Sequence, residues 1–435
     1  MYQFRYSISG LVVGALLSGC AQMPETGEVR TEQQGFSKHS FRSHKKAKRG
    51  RRGGRYRPKK SPLRFATFNV SLNRNNQGDL ASDFLDGENA QGRQVAEVIQ
   101  RVAPDVILLN EFDYDPSDPE LAIELFRANY LEVSQNGQEP AEYPYFFIAP
   151  SNTGVASGMD LDNDGEVGGP NDAFGFGFHE GQYGMVLLSK FPIAEKHVRT
   201  FQEFIWADMP GARLPIDPET GESWYDEDEQ QEMRLSSKSH WDVPVLANGR
   251  VVHVLAAHPT PPVFDGPEDR NGLRNADEIR FWADYITPRK SYYVYDDHGR
   301  RGGLRRGSDF VILGDYNADP WDGDSSEQAA RQFTEHRRIN NSVIPSSDGG
   351  VDASIVQAGY NLEHIGDPAW DTSDFGWDGA GNPDVSPGNL RVDYALPAAH
   401  MKIKSAGVFW PPSDSDLAGL VAFPLDHRLV YVDIR

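Results

Sequence analysis

"VILGDYNADP", residues 311–320, carries three apolar residues into a glycine and then sets an aspartate, an aromatic, an asparagine and a second aspartate ahead of a proline. An apolar run bounded by glycine and proline reads as a buried strand. A carboxylate and an amide at the tip of such a strand cost free energy unless they meet water or a partner. The tip therefore points to a cleft.

The pattern repeats along the chain. Strands are expected at 63–70 (LRFATFNV), 105–112 (DVILLNEF), 184–190 (GMVLLSK), 251–258 (VVHVLAAH), 309–315 (DFVILGD), 391–397 (RVDYALP) and 429–435 (LVYVDIR). Val95, Val98, Ile99 and Val102 recur at helical spacing between the first two, and a second helix is expected over Leu273 to Ile286. Asn69, Glu111, His258, Asp315, Asn317 and Asp393 stand at or near strand ends, and Asp426 with His427 precedes the last strand. Any one of these would pass for a turn or capping residue. Together they imply a shared cleft at the strand ends of an α/β body. Carboxylates and amides without thiols suit a hard cation such as Mg²⁺ or Mn²⁺, which bridges to phosphate oxygens, and two histidines can move protons or stabilise charge. Phosphate ester hydrolysis needs those parts.

A chain of 435 residues with 38% hydrophobic content buries a sizeable core, which excludes a wholly disordered protein. Charge divides it unevenly: residues 1–60 hold 14 Lys and Arg against three acids, whereas the rest holds 29 against 61, a formal charge of −32. Residues 1–20 end in "LSGC" after a short apolar run, read as a signal peptide, and Cys20 is the only cysteine, so no disulfide braces the body. Residues 21–61 read as a disordered tether, with 12 Lys and Arg and no acid in residues 38–60. It serves as a solvated spacer or is drawn to anionic lipid. Residues 62–435 form the folded domain.

"LSGC" resembles the bacterial lipobox, which implies cleavage before Cys20, lipid attachment to its thiol, and a place in the cell envelope; an ordinary secretory signal is the alternative. Ala21 after the cysteine points by analogy to the outer membrane. "TFNV", "LLNEF", "AAHPTPP", "GDYNADP", "RVDY" and "LDHR" follow in order, and residues 63–435 resemble the endonuclease/exonuclease/phosphatase superfamily. That resemblance implies a four-layer α/β sandwich, two mixed β-sheets face to face with helices outside. It implies Glu111 as principal metal ligand with Asn69 and Asp426 near the metal, and His258 as donor to the scissile phosphate. It further implies Asp315 positioning or activating the water, Asn317 orienting it, and Asp393 holding the imidazole of His427, the general base or acid. Asn110 stands where the family usually has glutamine and Leu425 where it usually has serine. Tyr183 is a candidate phosphate contact, as is Arg234, for which a surface salt bridge is the competing account.

"MDLDNDGEVGG", residues 159–169, opens like a Ca²⁺ loop through Asp160, Asp162 and Asp164, although Asn171 occupies the position where such a loop wants glutamate. A solvated acidic turn is the alternative. The substrate stays open among small phosphomonoesters or diesters, phospholipid head groups and nucleic acid, the last weighed down by the acidic body and the lack of a basic stripe. A monomer is expected. The rival to an exported phosphoesterase is a non-catalytic, calcium-dependent binding lipoprotein on the same fold, against which the complete polar set argues. If Cys20 is lipidated, the full chain should partition with membranes and Cys20→Ser should release it or leave it unprocessed. Unchanged partitioning of a processed Cys20→Ser protein, read by fractionation and immunoblot, would refute the anchor.

Overall fold

Period-two alternation is visible in the first strand, where Leu63 and Phe65 point to one core and Ala66, Phe68 and Val70 to another. A strand apolar on both faces needs a layer on each side. The computed structural model describes residues 61–376 and 386–435 and supplies those layers. The expected signal segment, Cys20 and the tether up to residue 60 lie outside the described residues.

Eleven strands form among the described residues: β1 Leu63–Leu72, β2 Val106–Phe112, β3 Tyr145–Phe147, β4 Met185–Ser189, β5 Arg199–Thr200, β6 His240–Ala247, β7 Arg250–Ala257, β8 Asp309–Asp315, β9 Asp393–Pro397, β10 Ile403–Val408 and β11 Val430–Ile434. One sheet runs β10-β11-β1-β2-β4-β3 and the other β5-β6-β7-β8-β9. Each has one parallel pair, β1 with β2 and β7 with β8, and is otherwise antiparallel. Strands β1 and β2 lie against β8, so the parallel pairs meet face to face.

Helix Ala90–Val102 covers the outer face of the six-stranded sheet with Val95, Val98, Ile99 and Val102. Asn89 caps its start by accepting from the Gly92 amide at 2.9 Å, and Ala103, in the left-handed region at φ 53°, ends it before Pro104. Helix Arg270–Tyr285 packs Ala276, Ile279, Phe281 and Trp282 into the core of the second sheet. The result is the four-layer α/β sandwich of two mixed sheets.

Gly314 in β8 shows why the motif needs glycine there. A Cβ on it would stand 2.0 Å from the Ala257 carbonyl oxygen on the neighbouring strand, so any side chain pushes apart the parallel pair that carries His258 and Asp315. Gly314→Ala should destabilise the fold by about 1–3 kcal/mol, measured as a lowered midpoint in urea with an unchanged m-value. An unaltered midpoint would show that the strands tolerate the separation.

Candidate active site

The inward face of β1 is apolar at Phe65 and polar at Thr67 and Asn69, two and four residues on; that of β2 changes likewise from Leu108 to Asn110. Asn69 and Asn110 are register partners, and the Thr67 hydroxyl donates to Asn110 Oδ1 at 3.2 Å. Asn110 is thus a buried cross-strand pin. Beyond it, β1 spends an extra residue so that Leu72 comes opposite Phe112, with Ser71 at φ 48° and Glu111 at φ 56°. A bulge of this kind re-aims side chains, and strained backbone of this kind gathers at functional sites.

Glu111 is turned into the cleft, where its two oxygens accept from Asn69 Nδ2 at 2.9 Å and Asn73 Nδ2 at 2.8 Å. Asn69 Nδ2 also donates to Asp315 Oδ2 at 3.1 Å on the facing sheet. Asp315 and Asp393 are opposite one another in the β8–β9 register. Asp315 Oδ1 accepts from the Asn317 amide at 2.9 Å, while its Oδ2 lies 3.5 Å from His258 Nε2 and 3.6 Å from His427 Nε2. His427 Nδ1 lies 2.9 Å from Asp393 Oδ2, which also accepts from the Thr372 hydroxyl at 2.9 Å. The Phe375 ring meets the His427 imidazole edge-on at 5.3 Å. Exposed Asp426 accepts from the Ser71 hydroxyl at 3.0 Å. Eight residues expected at the site (Asn69, Glu111, His258, Asp315, Asn317, Asp393, Asp426 and His427) therefore converge at one end of the two sheets.

Burial dominates the electrostatics. It raises Glu111, with Asp426 adding repulsion, and it raises Asp393 and pushes Asp315 up to about 6. For His427 burial opposes the charge, yet the carboxylates of Asp393 and Asp315 prevail and hold the imidazolium well above the usual histidine range. Burial instead keeps His258 neutral, reinforced by the positive charges of Lys238 and His427. The two histidines are driven apart in protonation by their surroundings, the pattern expected of groups with separate proton-transfer roles.

Lys238 is 7% exposed and lines the cleft beside Glu111 and His258. Burial lowers its pKa, and Glu278, Glu111 and Asp315 counter that effect. It escaped the sequence reading, although antiparallel pairing of His240 with Ala257 puts the start of β6 beside the end of β7 and its His258. Glu278, also missed, accepts from the Ser237 amide at 2.8 Å and the Thr260 amide at 2.7 Å, tying together the segments that carry Lys238 and His258. Tyr183, at φ 53° with its amide on Asp113 Oδ1 at 2.7 Å, lines the cleft. Arg234 is not a cleft residue: it donates to Asn152 Oδ1 at 2.7 Å and covers the Phe174 ring at 4.2 Å, and this contact replaces both the phosphate contact and the salt bridge. In the acidic turn, Asp160 and Asp162 converge with Asp172, whereas Asp164 Oδ1 accepts from the Glu166 amide at 2.8 Å.

A divalent cation fits the donor set around Glu111. Its oxygens meet only neutral amides, and half-buried Glu111 and buried Asp315 and Asp393 with nearby Asp426 outnumber Lys238 and the charged His427. Buried carboxylates in such excess call for a compensating charge, and hard oxygen donors suit Mg²⁺ or Mn²⁺. Asp315, Asp393 and His427 also approach one another, but strand register and the His427–Asp393 hydrogen bond account for that cluster without an ion.

Two facing mixed sheets with carboxylates, amides and imidazoles at their shared end define a class of enzymes built to act on phosphoesters. A model of the endonuclease/exonuclease/phosphatase family matches residues 66–427, and the chain belongs to that family, whose members are metal-dependent phosphoester hydrolases. Similar solved structures include an endonuclease/exonuclease/phosphatase from Beutenbergia cavernae DSM 12333, at 17% identity over 86% of this chain and 72% of that one, TM-score 0.46. Others are sphingomyelinase C from Streptomyces griseocarneus and a mutant Staphylococcus aureus beta toxin with bound magnesium ions. Each is 14% identical over 86% of this chain and 100% of its own, TM-score 0.42. No curated protein sequence matches the chain.

The electrostatics give a direct test in chelator-treated protein. His427 should titrate above the usual imidazole range, and Asp393→Asn should move that titration downward, because it removes the negative charge that favours the protonated ring. The His427 ring proton, followed by NMR against pH, reports both; an unmoved titration in Asp393→Asn would show that the carboxylate does not set the charge of His427.

Proposed function

We propose that the protein is an exported phosphoesterase that hydrolyses phosphate mono- or diesters by attack of water, assisted by His258 and His427. The observation that carries this reading is the continuous polar chain from Glu111 through Asn69 to Asp315, with His427 and Asp393 beyond it. In this reading Lys238 draws the phosphate into the cleft, and neutral His258 donates to a phosphoryl oxygen. Asn317 orients the water. Asp315, raised to about 6 by burial, takes its proton near neutral pH, where a base of that strength combines availability with driving force. Asp393 fixes Nδ1 of His427 so that Nε2 faces Asp315, and the charged ring delivers a proton to the leaving oxygen. Mg²⁺ or Mn²⁺ held by Glu111, with Asn69 and Asp426 beside it, would neutralise charge growing on the phosphoryl oxygens.

The lipobox-like "LSGC" and the basic segment that follows support delivery to the bacterial envelope, with Cys20 as lipid anchor and the folded body held off the outer membrane. Releasing phosphate from extracytoplasmic esters is a task suited to that position.

EDTA should abolish hydrolysis of a chromogenic mono- or diester and Mg²⁺ or Mn²⁺ should restore it, with Glu111→Gln losing metal dependence and rate together. His427→Ala should lower kcat by about 10²- to 10⁴-fold. Full activity in chelator, or in His427→Ala, would refute the mechanism.

A further inference from the structure

The cleft extends well beyond the phosphate. Glu111, Lys238, His258 and Asn317 line one end of a cavity of about 440 Å³. The rest is walled chiefly by Leu161, Ala173, Tyr225 and Met233, with Phe176 and Phe264 and the polar Arg270 and Asn271 also lining it. Leu161, Tyr225 and Met233 belong to the buried core, which makes an apolar floor. Phe176 is 48% and Phe264 85% exposed, and Phe178, 62% exposed, packs edge-on against Phe176 at 5.6 Å. Isolated exposed apolar residues need no explanation. Exposed phenylalanines gathered at the mouth of a cavity that ends in catalytic groups do.

The walls are held before any ligand arrives. Arg274, 6% exposed, donates to the carbonyls of Phe174 at 2.5 Å, Arg234 at 2.9 Å and Leu235 at 2.9 Å, joining the loop of Phe176 to the segment of Met233. Leu161 is fixed from both sides, its amide on Asp172 Oδ1 at 2.7 Å and its carbonyl accepting from Trp224 Nε1 at 3.1 Å. Asn271 Nδ2 donates to the Val263 carbonyl at 2.8 Å, steadying the segment next to Phe264. Walls held in place beforehand spend little on ordering when a ligand enters, so the apolar surface covered there is offset less.

Resting on the phosphoesterase reading, we infer that this chamber receives the organic group of the ester and selects substrates in which that group is a compact aromatic ring over those in which it is small or cationic. Covering one ring of apolar surface corresponds to about a 10- to 100-fold preference.

Phosphonates that cannot be hydrolysed separate this inference from catalysis. In Mg²⁺, benzylphosphonate and 1-naphthylmethylphosphonate should bind the full chain at least about 10-fold more tightly than methylphosphonate or 2-aminoethylphosphonate by calorimetry. The double variant Phe176→Ala with Phe264→Ala, whose side chains are exposed, should fold and lose most of that aryl-to-methyl ratio. Equal affinities, or a ratio unchanged in the double variant, would overturn the chamber. A protein that hydrolyses no ester yet keeps the aryl preference would overturn the phosphoesterase reading and leave the chamber standing.

Discussion

The side-chain amide of Asn69 joins the carboxylates of the two sheets at the site. Asn69 Nδ2 donates to Glu111 on its own sheet and to Asp315 on the other, and both carboxylates lose water when the sheets close. A neutral donor shared between two desolvated acids eases their repulsion without neutralising either. The remaining negative charge makes the site receptive to cations, while Asp393 and Asp315 keep His427 charged in surroundings that would otherwise discharge it. Replacing that amide with an apolar group would leave two desolvated acids without their shared donor, a larger cost than one lost hydrogen bond.

The supporting residues extend the same logic outward. Thr372 helps hold Asp393, Glu278 ties the Lys238 segment to the Thr260 segment, and Asn110 pins β1 to β2 just before the bulge. None of these three is proposed to touch the reacting phosphorus. They restrict the first residues to one geometry, and a site placed on strand ends inherits the rigidity of the sheets beneath it.

Legibility in the sequence followed the strength of local pattern. Strands β1, β2, β4, β7, β8, β9 and β11 were readable because each is a dense apolar run whose tip turns polar. Strand β6 was missed because Pro244 interrupts it; the protein tolerates that proline because β5 pairs with β6 only at Trp241 and Asp242. β3 and β5 are too short to show a period, and β10, with Lys404 and Ser405 exposed, looks like a loop. At the site, motif residues were legible and their partners were not. Thr372 lies 21 residues from Asp393, and Lys238 reaches His258 only through an antiparallel pairing that no local signal announces. Arg234 drew attention as a cation in the right segment, but its charge is spent on Asn152 and Phe174.

The placement of β11 has a temporal consequence. It is the last of the described strands, yet it lies between β10 and β1, and Asp433 meets Arg64 at 2.7 Å across 369 residues. A chain emerging amino end first must hold β1 with one edge unpaired until β11 has been delivered, a late closure of the kind that slows folding and exposes strand edges. Asp426 and His427 arrive immediately ahead of that strand. A product ended before Asp426 would thus lack both the closing strand and the charged imidazole, so closure of the β1 edge and chemical competence depend on the same stretch.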